Sequence, residues 1–156
     1  MKATRDQDGH IALERLTPLD ADTLLRLPEW LASEDPEVKG RLFPDVYDDP
    51  EEAEQWRRLG TPELLHLFAS RQELVKLDLA TMEHVAPVRY RMRIAKGHEK
   101  AWLATLNAAR LALFMQHRLG PKDMELDPCD ADTEVKEIAL MRIHVMAFVQ
   151  ELLLHV

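Results

Sequence analysis

Histidines and carboxylates at helical spacing are the first residues in this sequence that could do chemistry. Glu63 and His66 stand three apart, the spacing that places one pair of ligands in a di-iron carboxylate centre. Such a centre needs a second copy of the pair, and the sequence has none. Glu151 and His155 stand four apart and could also chelate, but His144 lies eleven residues before His155, too far along a helix to share an ion. We therefore expect no metal site and no cofactor.

Nucleophile motifs are equally scarce. The two serines, Ser33 and Ser70, lack a Gly-x-Ser-x-Gly context, and the sequence contains no glycine-rich loop of the kind that holds phosphates. Cys129 is the single cysteine, so the chain can form neither an internal disulfide nor a site with several thiolates. Its aspartate neighbours disfavour the thiolate, because like charges raise a thiol pKa. We expect a protein that is not an enzyme, with an unreactive Cys129.

A run of alternating arginines is the feature best suited to binding. In the stretch "VRYRMRI", residues 88–94, Arg89, Arg91 and Arg93 share one face, and the apolar residues between them share the other. Residues 86–120 carry seven Lys or Arg, including Lys96, and one acid, a charge of +6 that leaves −14 for the rest. These cations could meet an acidic protein surface or, as an alternative, a DNA groove. They could also only pair with the chain's own acids and protect a strand edge.

Helix starts are the clearest structural signals. Ser, Thr or Asp followed by Pro and an acid suits the free amides and the dipole of a helix N-terminus. This pattern begins at Thr17, Asp35, Asp49 and Thr61. Gly60 and Gly120 occur where helix C-caps are expected. We predict helices over residues 18–33, with a break near Pro28, and over 50–59, 62–84, 98–119 and 133–156.

Two alternating segments predict the only strands. Residues 10–16 and 88–95 are expected to pair as a small two-stranded β ribbon on a helical layer, since an isolated pair of strands is marginal in water. The expected fold is mainly α, a single-domain helical bundle over residues 1–156 with this ribbon. The turn between 59 and 62 is a poor helix-turn-helix, because the second helix begins with Glu63 and offers few cations to DNA.

Two of the predicted helices carry apolar faces. Trp102, Leu106, Ala109 and Leu113 form one stripe of helix 98–119, and small residues form another that lets a second helix approach closely. In the last helix, 15 of 24 residues are apolar. Such a helix is either central to the fold or half of a homodimer interface.

The overall composition is that of a soluble globular protein, with 46% hydrophobic and 31% charged residues and a net charge of −8. No apolar run approaches the roughly 20 residues that span a bilayer, and the first ten residues lack a signal-peptide segment. We expect a cytoplasmic protein. The negative charge opposes sequence-independent attraction to nucleic acid.

Several stretches together resemble a known family. They are "LFPDVYDDPEEAEQWRRL", "WLATLNAARLALFMQHRLG" and "FVQELLL". They are similar to an actinobacterial family of unknown function that is associated with the oxidative-stress regulator AosR. The matching positions are Leu42, Phe43, Pro44, Tyr47, Asp49 and Pro50, then Trp102, Leu103, Leu106, Asn107, Arg110 and Leu111, and finally Gln150 and Glu151. From packing arguments, the apolar residues from Leu42 to Tyr47 are expected to plug the base of the bundle.

The resemblance implies a cytoplasmic regulator that contacts transcription machinery, such as a sigma factor, with oxidation of a cysteine pair as its signal. Here the chain departs from the family, because Cys129 alone permits only a disulfide between two chains. Asn107 and Arg110 lie three apart on one helical face and are the polar pair that the resemblance marks for partner binding. Alternatively, Arg110 ties its helix to the acidic loop 45–49. The leading hypothesis is a regulatory or adaptor protein that binds a protein partner.

Overall fold

The computed structural model describes residues 1–156. The chain forms, in order, β1 (Lys2–Arg5), β2 (Ile11–Leu16), α1 (Pro18–Leu25), α2 (Leu27–Leu31), α3 (Pro36–Leu42), α4 (Pro50–Leu79), β3 (Glu83–Ala86), β4 (Arg89–Ile94), α5 (Glu99–Gln116) and α6 (Glu134–His155). Two short 3-10 turns, Asp123–Glu125 and Pro128–Asp130, lie between α5 and α6. Helical residues make up 62% of the chain, so it is mainly α.

The predicted two-stranded ribbon is wrong, because the strands belong to a four-stranded antiparallel sheet. The strand order is β1-β2-β4-β3, so the two predicted strands are the central pair. Ile11 lies opposite Ile94 and Leu13 opposite Met92, and all four are buried. The edge strands β1 and β3 complete the sheet on either side. They contain few apolar residues, so no alternation marked them in the sequence.

Tight turns join each edge strand to its neighbour. The β1–β2 turn has Gly9 at φ 88°, and a carboxylate oxygen of Asp6 accepts from the amides of Asp8 and His10. The β3–β4 turn is Pro87-Val88, with Val88 at φ 54°. A β-branched residue is strained in the left-handed region, where glycine is preferred.

Helix α5 lies at the centre of the core. The four residues of its predicted stripe, Trp102, Leu106, Ala109 and Leu113, are all buried, as predicted. Helices α2, α3, α4 and α6 pack around it, and its small residues Ala108 and Ala112 are buried. From α6, Leu140, Ile143, Met146 and Val149 enter the same core.

Helix α4 is continuous where the sequence predicted two helices. It begins at Pro50, capped by the Asp49 carboxylate, and runs through Gly60 and Pro62 to Leu79. Gly60 is not a C-cap: a Cβ at this position would collide with the indole ring of Trp56. The glycine is therefore needed to seat a side chain one turn earlier. The helix also ends before the predicted residue 84, because the chain turns there into β3.

Other predicted boundaries shift for local reasons. The break predicted near Pro28 lies at Arg26, which separates α1 from α2, and α3 follows the Asp35-Pro36 start as an additional short helix. Helix α5 ends at Gln116, and Arg118, not Gly120, takes the left-handed conformation at φ 50°. The Leu119 amide donates to the Phe114 carbonyl at 3.0 Å, which closes the helix as a Schellman motif.

The loop between α3 and α4 plugs the core only in part. Leu42 and Phe43 are half-buried, and the rings of Phe43 and Phe68 meet edge to face with centroids 5.1 Å apart. Val46 and Tyr47 are exposed, contrary to the expected plug. Tyr47 instead packs on Trp56 at 6.2 Å, at the outer side of α4.

Candidate functional site: the arginine face of the sheet

The outer surface of the sheet presents the alternating arginines. On β4, Met92 and Ile94 are buried against the helices, while Arg89, Arg91 and Arg93 are exposed on the other side. The strand period of two places the three guanidinium groups along one line. We call these three residues, together with Arg15 of β2, the arginine face.

Arg15 was not identified from the sequence. It has φ 59° and lies where the pairing of β2 with β4 shifts between Leu13 and Leu16. Such a β-bulge changes the direction of a side chain. Arg15 thereby lines a groove of about 410 Å³ with Arg89 and Arg91. The signal in the sequence was the pair of consecutive polar residues in "IALERL", which breaks the alternation.

Two of the four guanidinium groups have carboxylate partners in the chain. Arg91 Nε donates to Glu83 Oε1 at 2.7 Å, and Arg93 Nη2 donates to Asp6 Oδ2 at 2.9 Å. The hydrogen bond that Arg91 donates to Glu83, together with the charge of Glu83, raises the pKa of Arg91. Ion pairs between exposed side chains contribute little to stability and exchange readily with other partners.

The other two arginines have no such partner. Neither Arg15 nor Arg89 lies within 4.0 Å of a carboxylate. Their groove also contains Glu14, Val85 and Ala86, and Val85 is 47% exposed. The surface therefore combines free cations with apolar side chains beside the β3–β4 turn.

A buried carboxylate that the sequence did not reveal holds the end of β4. Asp78, 3% exposed, accepts from the Ala95 amide at 3.1 Å and from Trp102 Nε1 at 2.8 Å. The His98 ring nitrogen Nδ1 lies 2.9 Å from the same carboxylate. Asp78 thus joins the last turn of α4 to β4 and α5. The three contacts engage both of its oxygens and fix the position of the end of β4.

Lys96 follows β4 and lies beside the β1–β2 turn. Its amide donates to His10 Nδ1 at 3.4 Å, and its aliphatic carbons approach Gly9. The side chain is exposed at the rim of the sheet. Lys96 therefore extends the cationic surface beyond the arginine face.

Asn107 and Arg110 are not part of this surface. Arg110 Nη1 donates to Gln150 Oε1 at 2.7 Å, and Gln150 Nε2 donates to the Leu103 carbonyl at 3.1 Å. Arg110 therefore joins α5 to α6, not to the acidic loop 45–49. Asn107 is exposed and shares with Arg110 a cavity of about 130 Å³, which has no residue in common with the groove of the arginine face.

Cys129 lies exposed in the turn Pro128–Asp130. Its amide donates to Asp127 Oδ1 at 3.1 Å. The hydrogen bond and charge of Asp127, with smaller effects of nearby acids, raise the pKa of the Cys129 thiol. The structure brings together no group of three His, Cys, Asp or Glu side chains able to hold a metal ion.

Comparison with known proteins identifies a family. A family model described as a domain of unknown function, DUF2017, matches residues 2–156. The chain belongs to this family. No curated protein and no solved structure matches the chain.

Helix α6 is long and apolar enough to cross a membrane by length and composition alone. The core helix of a soluble protein can meet the same criteria, and α6 contributes six buried residues to the protein. The length of α6 is therefore weak evidence for a membrane.

Proposed function

We propose that the protein is a non-enzymatic regulatory or adaptor protein that binds an acidic surface of a protein partner through the arginine face. One observation carries this proposal. In a chain with a net charge of −8, four exposed arginines share the uncovered side of the sheet, and two of them have no carboxylate partner. Acidic side chains of a partner would complement them.

The composition of the groove favours a protein over DNA as the partner. Arginine beside exposed apolar side chains is typical of protein interfaces, and Val85 and Val88 are 47% and 63% exposed beside Arg89. Glu14 and Glu83 lie on the same surface and would repel a phosphate backbone. Binding of DNA through the arginine face is the alternative to be tested.

The resemblance to the AosR-associated family supports a place in transcription regulation and the oxidative-stress response of an actinobacterium. Under this proposal the protein is cytoplasmic, and its partner is a component of the transcription machinery, such as a sigma factor. Cys129 contributes at most a disulfide between two chains, since the chain has no second thiol. Its raised pKa makes rapid oxidation of this thiol unfavourable.

Self-association through α6 is a further part of the proposal. It is independent of the arginine face, because the two surfaces lie on different elements of the fold. Loss of one contact would leave the other intact.

The arginine face is tested by charge reversal with a matched control. The test variant carries Arg89→Glu, Arg91→Glu and Arg93→Glu, and the control carries Arg58→Glu, Lys100→Glu and Lys122→Glu. Each variant reverses three positive charges, so both change the net charge equally. Because all six side chains are exposed, both should keep the wild-type circular dichroism spectrum. Affinity capture from the native cell should lose a partner with the first variant only. Equal capture by both would reject this site.

Two further measurements sharpen this test. Glu83→Gln should strengthen capture, because it releases Arg91 from its own-chain carboxylate. Fluorescence anisotropy with a labelled 20-base-pair duplex at low salt examines the DNA alternative. Two results together would favour DNA over a protein partner: the wild type binds the duplex with an affinity that falls steeply with salt, and the arginine-face variant alone fails to bind it.

A further inference from the structure

Helix α6 has an apolar seam that its own chain leaves partly exposed. Only six of its 22 residues are buried in the protein. The seam consists of five residues at alternating spacings of three and four, namely Ile138, Met141, Val145, Phe148 and Leu152. Phe148 is 48% exposed and Ile138 is 38% exposed, while the other three are half-buried. The buried core residues of α6 lie on another side of the helix.

This spacing is that of a coiled-coil seam, in which apolar residues recur every 3.5 positions and pack against a second helix. Leu19 of α1 and Pro128 border the seam, and Ile138 and Phe148 remain exposed on it. A helix of 22 residues is about 33 Å long, enough for two layers of such contacts on each side of a two-fold axis.

We propose that a second copy of the chain covers this seam, with the two α6 helices antiparallel about a two-fold axis. The arrangement rests on the self-association proposed above and specifies its geometry. In an antiparallel pair, Val145 faces Phe148 of the second copy, and Met141 faces Leu152 of the second copy. Each contact occurs twice, as an isologous interface requires.

Hydrogen bonding along the polar flank of the seam favours the antiparallel direction. Glu137, His144 and Glu151 line one flank of the seam at seven-residue intervals. Antiparallel helices bring like flanks together, which places His144 near Glu151 of the second copy. In a parallel pair, this flank would instead face the other flank of the second copy, which contains Arg142 and Val149. That flank offers no free partner, because Arg142 is held by Asp22 at 2.6 Å and Val149 is fully buried.

The surface beside the seam can receive the most protruding side chain. A groove of about 360 Å³ is lined by five apolar residues, Met1, Leu19, Met141, Val145 and Phe148, and by Asp20, Pro128 and His144. Phe148 of the second copy would enter this groove. Burial of an aromatic ring in an apolar pocket is the usual source of binding energy at an interface.

A membrane surface is a less suitable occupant. Helices that lie on membranes usually carry Lys and Arg along their polar side. The exposed flank of α6 carries Glu137 and Glu151 instead, and anionic lipids would repel them. A second copy satisfies both the apolar seam and its charged flank.

The first experiment measures mass in solution. Light scattering after size exclusion should give twice the 18.0 kDa of one chain for the wild type. Phe148→Glu should give the mass of one chain, because its affinity for self-association should fall at least tenfold. Leu77→Glu is the matched control, because Leu77 is 65% exposed on α4 and should leave the dimer intact. A wild type that stays monomeric up to about 100 μM, or equal behaviour of both variants, would overturn the dimer.

The second experiment determines the direction. In a Cys129→Ser background, chains with Val145→Cys and chains with Phe148→Cys are mixed, oxidised gently and analysed by mass spectrometry. The antiparallel arrangement predicts mainly the mixed disulfide, since position 145 faces position 148. Predominance of the two homodisulfides would establish a parallel pair and reject the proposed geometry while leaving self-association intact. A monomeric protein that co-sediments with anionic vesicles would reject both and favour a membrane occupant.

Discussion

Arg110 donates to the Gln150 amide oxygen at 2.7 Å, and Gln150 in turn donates to the Leu103 carbonyl, so one side chain bridges α5 and α6 twice. No carboxylate lies within ion-pair distance of Arg110, and its Nε is buried without a partner. The charge is therefore held by a neutral amide. This makes Gln150 more important to the structure than an ordinary helix-surface residue.

Gln150→Ala should destabilise the fold. The change removes the acceptor of Arg110 and leaves more of a half-buried guanidinium unpaired, which lowers the free energy of unfolding by about 1–3 kcal/mol. Urea denaturation followed by circular dichroism measures it. Gln116→Ala is the control, because Gln116 is exposed and should change stability by no more than about 0.5 kcal/mol. Equal effects at the two positions would contradict a bridging role.

Gly60→Ala should fail to stabilise α4. Alanine is ordinarily better than glycine in a helix by roughly 0.5–1 kcal/mol, but its Cβ would collide with the Trp56 ring. The ring must move toward solvent, so tryptophan fluorescence should shift to longer wavelength. Gly40→Ala in α3 meets no atom within 4 Å and should give the ordinary gain in stability. The contact is refuted if both variants gain equally with unchanged emission.

Arg118→Gly should stabilise the protein. Arg118 holds φ 50° at the end of α5, a conformation that is unfavourable for a residue with a Cβ by about 1 kcal/mol. Thermal unfolding should therefore occur at a higher temperature in this variant. Lys122→Gly is the control. Lys122 has φ −64°, a conformation that suits a residue with a Cβ, so glycine there should lower the transition temperature. A lower transition for Arg118→Gly would show that its side chain stabilises the turn.

His117 should lower the stability of the fold as the pH drops through about 6.5. Burial lowers the pKa of His117, and the charge of Arg142 lowers it further. The unfolded chain, with an ordinary histidine pKa near 6.5, then binds the proton more readily than the folded chain. The His117 effect is absent above this pH and grows below it, until the folded histidine also becomes protonated. Urea unfolding between pH 5 and 7.5 should show a smaller slope in His117→Gln.

Local signals in the sequence predicted the elements whose cause is local. Asp49 caps α4 by accepting from the amides of Glu51 and Glu52, as its position before Pro50 indicated. The alternation in residues 88–94 correctly predicted a strand with Met92 and Ile94 toward the core. Both features depend on neighbouring residues alone.

The features that were not predicted depend on distant contacts. β3 is exposed at all four positions, so only its pairing with β4 defines it as a strand. Gly60 looked like a helix stop because the packing of Trp56 against it is invisible in the sequence. For the candidate site, the three β4 arginines followed from periodicity. Arg15 joined them only through a bulge, and Asp78 acts through tertiary hydrogen bonds.

The three contacts of Asp78 also determine what recognition at the sheet would require. Because Asp78 binds the C-terminal end of β4 to α4 and α5, the backbone beneath the guanidinium groups is ordered before any partner binds. Association there would restrict long side chains but would not have to fold a loop, so little conformational entropy is lost. Ionic strength and the partner's own carboxylates would then govern how tightly the two surfaces hold.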